Sequence, residues 1–229
     1  MIDPIVQTSR NVTLIGAGPP RESALQAALT LAPEVGCADG GADVALAHGL
    51  MPRAVIGDFD SVSIEARTAI PVERQFPISE QESTDFDKCL RNIVAPLVLG
   101  VGFDGTRMDH QLAAFNTLLT HAHRRCILVG AEQIVFVSPP RIGLDLPEQS
   151  LLSLFPLGAV QGRSEGLRRP IEGLRFAPDG RVGTSNQVVG SVQLSFDAPA
   201  MLIILPRAAL AAAAEGLIAA PGSWPARMR

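Results

Sequence analysis

Apolar and polar positions follow two different patterns along the chain, and the pattern changes near its middle. Up to residue 127, short apolar runs such as Val12–Ile15, Ala54–Ile56 and Leu97–Gly102 are followed by polar loops and then by stretches with helical spacing. Continuous apolar runs of this length are typical of strands buried on both faces, as in a parallel sheet. The first half therefore predicts α/β units.

Beyond Ile127, short apolar runs are separated by Gly and Pro, which favours an antiparallel arrangement. The fold class that we predict is α/β, with an N-terminal parallel-sheet domain at residues 1–140 and a C-terminal antiparallel β-sandwich domain at residues 141–229. An alanine-rich helix over Ala208–Ala219 and a loose tail end the second domain. The polar segment Gly183–Asn186 is predicted to be a hairpin turn.

Composition argues against several classes of protein. The formal net charge is −4, whereas a general nucleic-acid binder presents a basic face, so we expect no nucleic-acid partner. The longest apolar tract, near Ala208–Ala220, is interrupted by Glu215 and is too short for a membrane span. No secretory signal is evident at the N-terminus, and three widely spaced cysteines predict buried thiols in a reducing compartment. We therefore expect a cytoplasmic protein without a membrane partner.

Aspartates collect just after the predicted strands of the first half. Eight of the 12 aspartates lie between Asp39 and Asp109. Asp58 and Asp60 follow the run Ala54–Ile56, and ligands bind at this edge of an open α/β sheet. Oxygen-only ligands suit magnesium or manganese, although a solvated Asp-rich turn is an alternative.

Lys88 is the only lysine among 19 basic residues. Ser83 or Thr84 is predicted to cap its helix, which we expect to begin at Asp85 and to continue through Val94. Lysine and a helix N-terminus both suit phosphate. The alternative is a surface ion pair between Lys88 and Asp85, which are one helical turn apart.

Four motifs, in this order, resemble those of the thiamine pyrophosphokinase family. They are Ala38-Asp39-Gly40-Gly41-Ala42, Gly57-Asp58-Phe59-Asp60-Ser61, Gln81-Glu82-Ser83-Thr84-Asp85-Phe86-Asp87-Lys88 and Arg107-Met108-Asp109-His110. Each motif is weak alone, but the ordered set is specific. The resemblance continues to Gly173-Leu174-Arg175-Phe176 and Ser185-Asn186.

The resemblance implies an enzyme that moves diphosphate from ATP to the hydroxyl oxygen of thiamine, giving thiamine diphosphate and AMP. It also implies Mg²⁺, an ATP-binding first domain, a thiamine-binding second domain and a homodimer. Carried onto this sequence, the magnesium ligands are Asp58, Asp60 and Asp85. The catalytic set is Asp60, Asp85, Lys88, Arg107 and Asp109, and the nucleotide contacts are Asp39, Gly40, Gly41, Gln81 and Thr84.

The thiamine contacts implied by the resemblance are Ser185 and Asn186, across the dimer. The family tends to place a large aromatic side chain against thiamine, and Phe155 and Phe176 are the candidates here. Two other interpretations are open: a related diphosphokinase acting on another hydroxymethyl heterocycle such as a pterin, and a non-catalytic regulator that binds nucleotide or thiamine. The carboxylates and Lys88 favour catalysis, because binding alone does not require so many anions beside a triphosphate.

Overall fold

The structure of the protein is a computed structural model and describes residues 3–105 and 107–226. The chain forms a mixed α/β fold that divides into two compact units, residues 1–117 with 128–131 and residues 118–127 with 132–229. The chain passes from one unit to the other after residues 117, 127 and 131.

The first unit alternates strands and helices. Its strands are β1 (Val6–Gln7), β2 (Val12–Ile15), β3 (Glu34–Ala38), β4 (Ala54–Gly57), β5 (Gln75–Pro77), β6 (Ile93–Val94) and β7 (Val98–Val101). Its helices are α1 (Glu22–Leu31), α2 (Gly41–Ala47), α3 (Ile64–Ala69), α4 (Asp85–Asn92) and α5 (Met108–Thr120), followed by β8 (Cys126–Val129).

Four strand pairs in this unit are parallel, as the sequence predicts for this half of the chain. β2 pairs with β7, β3 with β4, β4 with β5, and β1 with β6. Every residue of β2, β4 and β7 is buried. Because these strands are parallel and each ends in a polar or glycine-rich loop, the loops after β2, β3, β4 and β7 can meet at one edge.

Two helices of this unit, α3 and α4, begin at side-chain caps. Ser63 Oγ accepts a hydrogen bond from the Ala66 N–H (3.0 Å) at the start of α3, and Thr84 Oγ1 accepts one from the Asp87 N–H (3.2 Å) at the start of α4. The predicted continuation of α4 through Val94 is wrong. Ile93 and Val94 pair with β1 instead, as β-branched residues shortly before a proline do more readily than they extend a helix.

The second unit is built from antiparallel pairs. Its elements are β9 (Gln133–Val137), β10 (Arg141–Leu144), β11 (Leu151–Pro156), β12 (Val160–Leu167), β13 (Arg175–Phe176), β14 (Thr184–Phe196), β15 (Met201–Pro206) and α6 (Leu210–Ala219). β14 pairs with β11 through its first residues and with β10 and β12 through its last ones. The hairpin turn predicted at Gly183–Asn186 is therefore wrong, because Thr184, Ser185 and Asn186 are strand residues paired with β11.

The three cysteines, Cys37, Cys89 and Cys126, are buried free thiols, as predicted. Burial raises the pKa of each thiol, which keeps the thiols protonated and unreactive at neutral pH. Among the helices of residues 3–105 and 107–226, none combines the length and the apolar character that crossing a membrane requires.

Candidate active site

A cavity of about 660 Å³ lies at the edge where the loops of the first unit meet. Its walls come from the loop after β2, the loops after β3 and β4, the start of α4, and the loop after β7. The predicted site residues that line it are Asp39, Gly40, Asp58, Asp60, Gln81, Thr84, Asp85, Lys88 and Arg107. Residues from four motifs that are far apart in sequence are thus brought to one cavity.

Asp39, Asp58 and Asp60 form a group of carboxylates whose nearest oxygens all lie within 4.8 Å of one another. The ligand set implied by the resemblance contains Asp85, rather than Asp39, beside Asp58 and Asp60. Three carboxylates at this spacing repel one another unless a cation lies among them. The donor set consists only of oxygen, which suits Mg²⁺, so the residues present fit the metal that the resemblance implies.

Asp39 also holds the loop that carries the other two aspartates. Its side chain is 2% exposed and accepts hydrogen bonds from the backbone N–H of Phe59 (2.7 Å), from the N–H of Ser61 (3.0 Å) and from Ser61 Oγ (2.5 Å). Asp39 and Phe59 both have a positive φ, +44° and +66°. Left-handed backbone at two residues without glycine's freedom is sustained by such surrounding bonds and is frequent at functional sites.

Gly41, expected at the nucleotide, has a packing role. A Cβ on Gly41 would lie 2.0 Å from the carbonyl oxygen of Ile15, so only glycine lets helix α2 begin this close to strand β2. Gly40 is the N-cap residue of α2 and lines the cavity.

Lys88 is buried between two of the predicted metal ligands. Its Nζ donates to Asp85 Oδ1 at 2.9 Å and lies 3.5 Å from Asp58 Oδ2, although the lysine side chain is only 1% exposed. Burial by itself lowers the pKa of Lys88, but the hydrogen bond and charge of Asp85 and the charge of Asp58 raise it overall. The ammonium is therefore a fixed positive charge inside the carboxylate cluster.

The two aspartates beside Lys88 respond differently to their surroundings. Burial raises the pKa of Asp85, and the charges of Asp39 and Asp58 add to the effect while Lys88 opposes it. For Asp58, the effect of burial is outweighed by hydrogen bonds from Gln81 and the Asp60 N–H and by Lys88, so its pKa falls. The Asp58 carboxylate is therefore ionised at neutral pH and can bind a cation.

Gln81 lies at the cavity and contacts Asp58 directly. Its Nε2 donates to Asp58 Oδ2 at 2.7 Å. Sequence reasoning missed Glu80 and Arg91, which hold the loop around Gln81: Arg91 Nη2 lies 2.5 Å from Glu80 Oε1. A Glu 11 residues before an Arg, across a loop and a helix start, has no recognisable sequence pattern.

Arg107 and Asp109 pair with each other at the start of α5. The guanidinium donates to both carboxylate oxygens, with Nη2–Oδ2 at 2.5 Å and Nε–Oδ1 at 3.2 Å. This pair holds the pKa of Asp109 at about 2, with the Arg107 hydrogen bond as the largest cause. Both side chains are mostly exposed, so the guanidinium can exchange its partner for a phosphate.

Ser185 and Asn186, in the second unit, have different surroundings. Asn186 is 3% exposed, and its Oδ1 accepts from the N–H groups of Arg169 and Gln187 while its Nδ2 donates to the Arg169 carbonyl. Ser185 is exposed. Of the two aromatic candidates, Phe155 is 39% exposed and Phe176 is buried, so only Phe155 offers its ring to a ligand in this structure.

Comparisons with known proteins agree with the motifs. Residues 25–129 match the family model described as the thiamin pyrophosphokinase catalytic domain. Among solved structures, the thiamin pyrophosphokinase from Geobacillus thermodenitrificans superposes with a TM-score of 0.72 at 22% identity, covering 86% of this chain and 97% of that one. The enzyme from Candida albicans gives a TM-score of 0.71 at 16% identity, with coverages of 90% and 95%. No curated protein matches the chain.

The fold and site define an α/β protein whose acidic strand-end site, with a buried lysine, is suited to a metal-bound polyphosphate. Structural likeness at these identities shows the fold alone, and the family model adds the sequence relationship. The chain is thus similar to thiamin pyrophosphokinases in fold, and in sequence over residues 25–129.

Proposed function

We propose that this protein transfers the diphosphate group of ATP to the hydroxyl oxygen of thiamine, giving thiamine diphosphate and AMP. The observation that carries the proposal is the carboxylate group of Asp39, Asp58 and Asp60 with Lys88 at the wall of one cavity. These four residues lie within residues 25–129, which match the model of the thiamin pyrophosphokinase catalytic domain, and this match supports the proposed function.

The chemistry needs charge neutralisation and positioning more than covalent help. The thiamine oxygen forms a bond to the β-phosphorus of ATP, the bond from that phosphorus to the oxygen shared with the α-phosphate breaks, and AMP leaves with the electron pair. The hydroxyl proton passes to solvent or to a nearby carboxylate. The attacking oxygen approaches a strongly anionic chain, so positive groups at the site lower the barrier.

We propose that Asp58, Asp60 and Asp85 hold Mg²⁺, which is the ligand set implied by the resemblance. Asp39 lies close enough to Asp58 and Asp60 to be a further ligand. The ion would supply positive charge to the phosphate oxygens when bound. Asp60 is the most accessible member, since it is exposed whereas Asp39 is buried.

Lys88 and Arg107 have distinct roles in this proposal. Lys88 is a buried residue of the cavity wall, and its charge offsets those of Asp58 and Asp85. It can contact a phosphate only where its side chain reaches the surface of the cavity. Arg107 is exposed beside the cavity and can reach the transferring phosphates, with Asp109 orienting it in their absence. A base role for Asp109 is disfavoured at neutral pH by its pKa of about 2.

We propose that the protein is a homodimer and that thiamine binds with the help of the second compact unit of the partner copy, which contains Ser185 and Asn186. Ser185 lies opposite Ser153 in the β11–β14 pair, so it shares a face with Leu151 and Phe155, which are 59% and 39% exposed. An exposed apolar face beside a predicted substrate contact supports pairing of two copies there. Sedimentation of the purified protein as a monomer at micromolar concentration would contradict the proposed homodimer.

The cytoplasmic location stays a prediction from the sequence.

The experiment that tests the function is AMP release from ATP and Mg²⁺ by the purified protein, with and without thiamine, with mass detection of thiamine diphosphate. We expect AMP that depends on thiamine and a matching product. AMP formed only with another alcohol, such as a hydroxymethyl pterin, would keep the transfer chemistry and change the substrate. Binding of ATP or thiamine with no AMP from any alcohol would favour a binding regulator.

A further inference from the structure

The loop before α4 is folded around one carboxylate. Glu80 Oε2 accepts hydrogen bonds from the backbone N–H groups of Glu82 (2.8 Å) and Ser83 (3.1 Å), and its Oε1 accepts one from Ser83 Oγ (2.5 Å). These bonds curl the chain back on itself over residues 80–83. The loop conformation is therefore tied to the Glu80 side chain.

Arg91 ties this carboxylate to helix α4. Its Nη2 lies 2.5 Å from Glu80 Oε1, and its Nη1 lies 3.7 Å from Asp87 Oδ2 on the same helix. Glu80 and Arg91 are both only partly exposed, 34% and 28% at the side chain. We call Glu80, Arg91 and the backbone N–H groups of Glu82 and Ser83 the clasp.

The clasp encloses the residue that reaches the acidic site. Gln81 is flanked by Glu80 and Glu82, and its Nε2 donates to Asp58 Oδ2 at 2.7 Å. The same oxygen of Asp58 lies 3.5 Å from Lys88 Nζ. Oδ2 of Asp58 is thus held by a side chain whose loop is fixed by the clasp, while Oδ1 accepts a hydrogen bond from the Asp60 N–H (3.2 Å).

We propose that Glu80 and Arg91 are positioning residues, which act through Gln81 to orient Asp58 for the metal-bound polyphosphate. The proposal rests on the proposed function for the identity of that ligand. A side chain that is held by a preformed loop loses less conformational entropy on binding than one on a free loop. Mutation of a residue that hydrogen-bonds to a metal ligand commonly lowers the affinity for the metal by about 10-fold to 100-fold.

The test compares four variants, Glu80→Ala, Gln81→Ala, the double variant and Glu82→Ala, by their affinity for Mn²⁺ alone and for Mn²⁺ with ATP. Glu82→Ala is the matched control, because it removes the neighbouring exposed carboxylate while keeping the N–H that bonds to Glu80. We expect Glu80→Ala to weaken Mn²⁺ binding about 10-fold and Glu82→Ala to leave it unchanged.

The double variant distinguishes positioning from a general structural role. If Glu80 acts through Gln81, the double variant should bind Mn²⁺ no more weakly than Gln81→Ala alone. Once the Gln81 side chain is removed, the loss of Glu80 has no further effect on Asp58. Additive losses would overturn the proposal, and so would unchanged Mn²⁺ affinity in Glu80→Ala. Arg91→Lys, which keeps the charge without the planar fork, should retain more affinity than Arg91→Ala.

A second readout does not depend on the ligand. We expect the side-chain amide protons of Gln81 and the backbone amides of Glu82 and Ser83 to exchange with solvent faster in Glu80→Ala than in the wild type. Unchanged exchange of the Gln81 side chain would overturn the clasp even if the protein proves to be a diphosphokinase. A wild type that binds neither Mn²⁺ nor ATP, with faster exchange in the variant, would instead contradict the proposed function and leave the clasp standing.

Discussion

The ammonium of Lys88 and the carboxylate of Asp85 are bonded at 2.9 Å, one helical turn apart at the start of α4, with the lysine almost fully buried. The sequence left a surface ion pair open as the alternative for these residues. Burial changes what the pair does, because an exposed pair contributes little whereas a buried one must stay complete. Lys88 is therefore as much a part of the fold of the site as of its chemistry.

Replacing Lys88 with methionine should destabilise the protein and stop transfer. The variant leaves Asp58 and Asp85 without their internal cation, and we expect the free energy of unfolding to fall by about 2 kcal/mol. The turnover number should fall about 100-fold or more, as for loss of one charge-stabilising group. Urea unfolding and AMP release measure the two effects.

Arg53→Met is the matched control for Lys88→Met. Arg53 also pairs with a carboxylate, Glu34, at 2.9 Å, but it is half exposed and lies away from the cavity. We expect a change below about 1 kcal/mol and normal turnover. Equal stability losses in the two variants would contradict the structural role of Lys88.

Asp39 and Asp60 should separate loop support from ligand binding. Asp39→Asn weakens a buried acceptor of three hydrogen bonds, so we expect the free energy of unfolding to fall by about 1–3 kcal/mol. Asp60→Asn should change it by less than about 0.5 kcal/mol, because Asp60 is exposed, while turnover falls at least about 100-fold. Near wild-type turnover in Asp60→Asn would contradict its assignment to the metal.

Ser185 and Asn186 are neighbours whose replacement should affect stability differently. Asn186→Ala removes a buried amide bonded to the Arg169 backbone, and we expect it to lower the free energy of unfolding by about 1–3 kcal/mol as well as to raise the KM for thiamine more than that for ATP. Ser185→Ala should raise the thiamine KM without changing stability, since Ser185 is exposed. Equal effects on both KM values would count against thiamine binding by the second unit.

Acid should weaken the loop before α4 through Glu80. Hydrogen bonds from Ser83 first, and then from Arg91 and the Glu82 N–H, lower the pKa of Glu80 from 4.5 to about 2. The folded state therefore binds fewer protons than the unfolded state between these values, so the stability from Glu80 is complete above pH 4.5 and is lost as the pH falls toward about 2. The difference in unfolding free energy between wild type and Glu80→Gln should shrink over this range; a constant difference would contradict the assignment.

Local elements were largely predictable because the signals for them are local. The bounds of β2 agree with the apolar run Val12–Ile15, since the run itself marks the strand. β12, by contrast, contains polar residues and two glycines, and nothing in its own sequence shows that it pairs with β14. The same holds for Ile93–Val94, which becomes a strand only because β1 lies beside it.

The sequence alone determined which chemical groups the site contains: aspartates after strands, one lysine at a helix start, and motifs specific enough to indicate the family. Only the tertiary structure decided how those groups are bonded. It joined Asp39 to Asp58 and Asp60, buried Lys88 beside Asp85, and held Gln81 in place through Glu80 and Arg91. The physical reason is that residue type and periodicity fix local conformation, whereas burial, charge pairing and hydrogen-bond partners depend on residues that meet only when distant segments pack together.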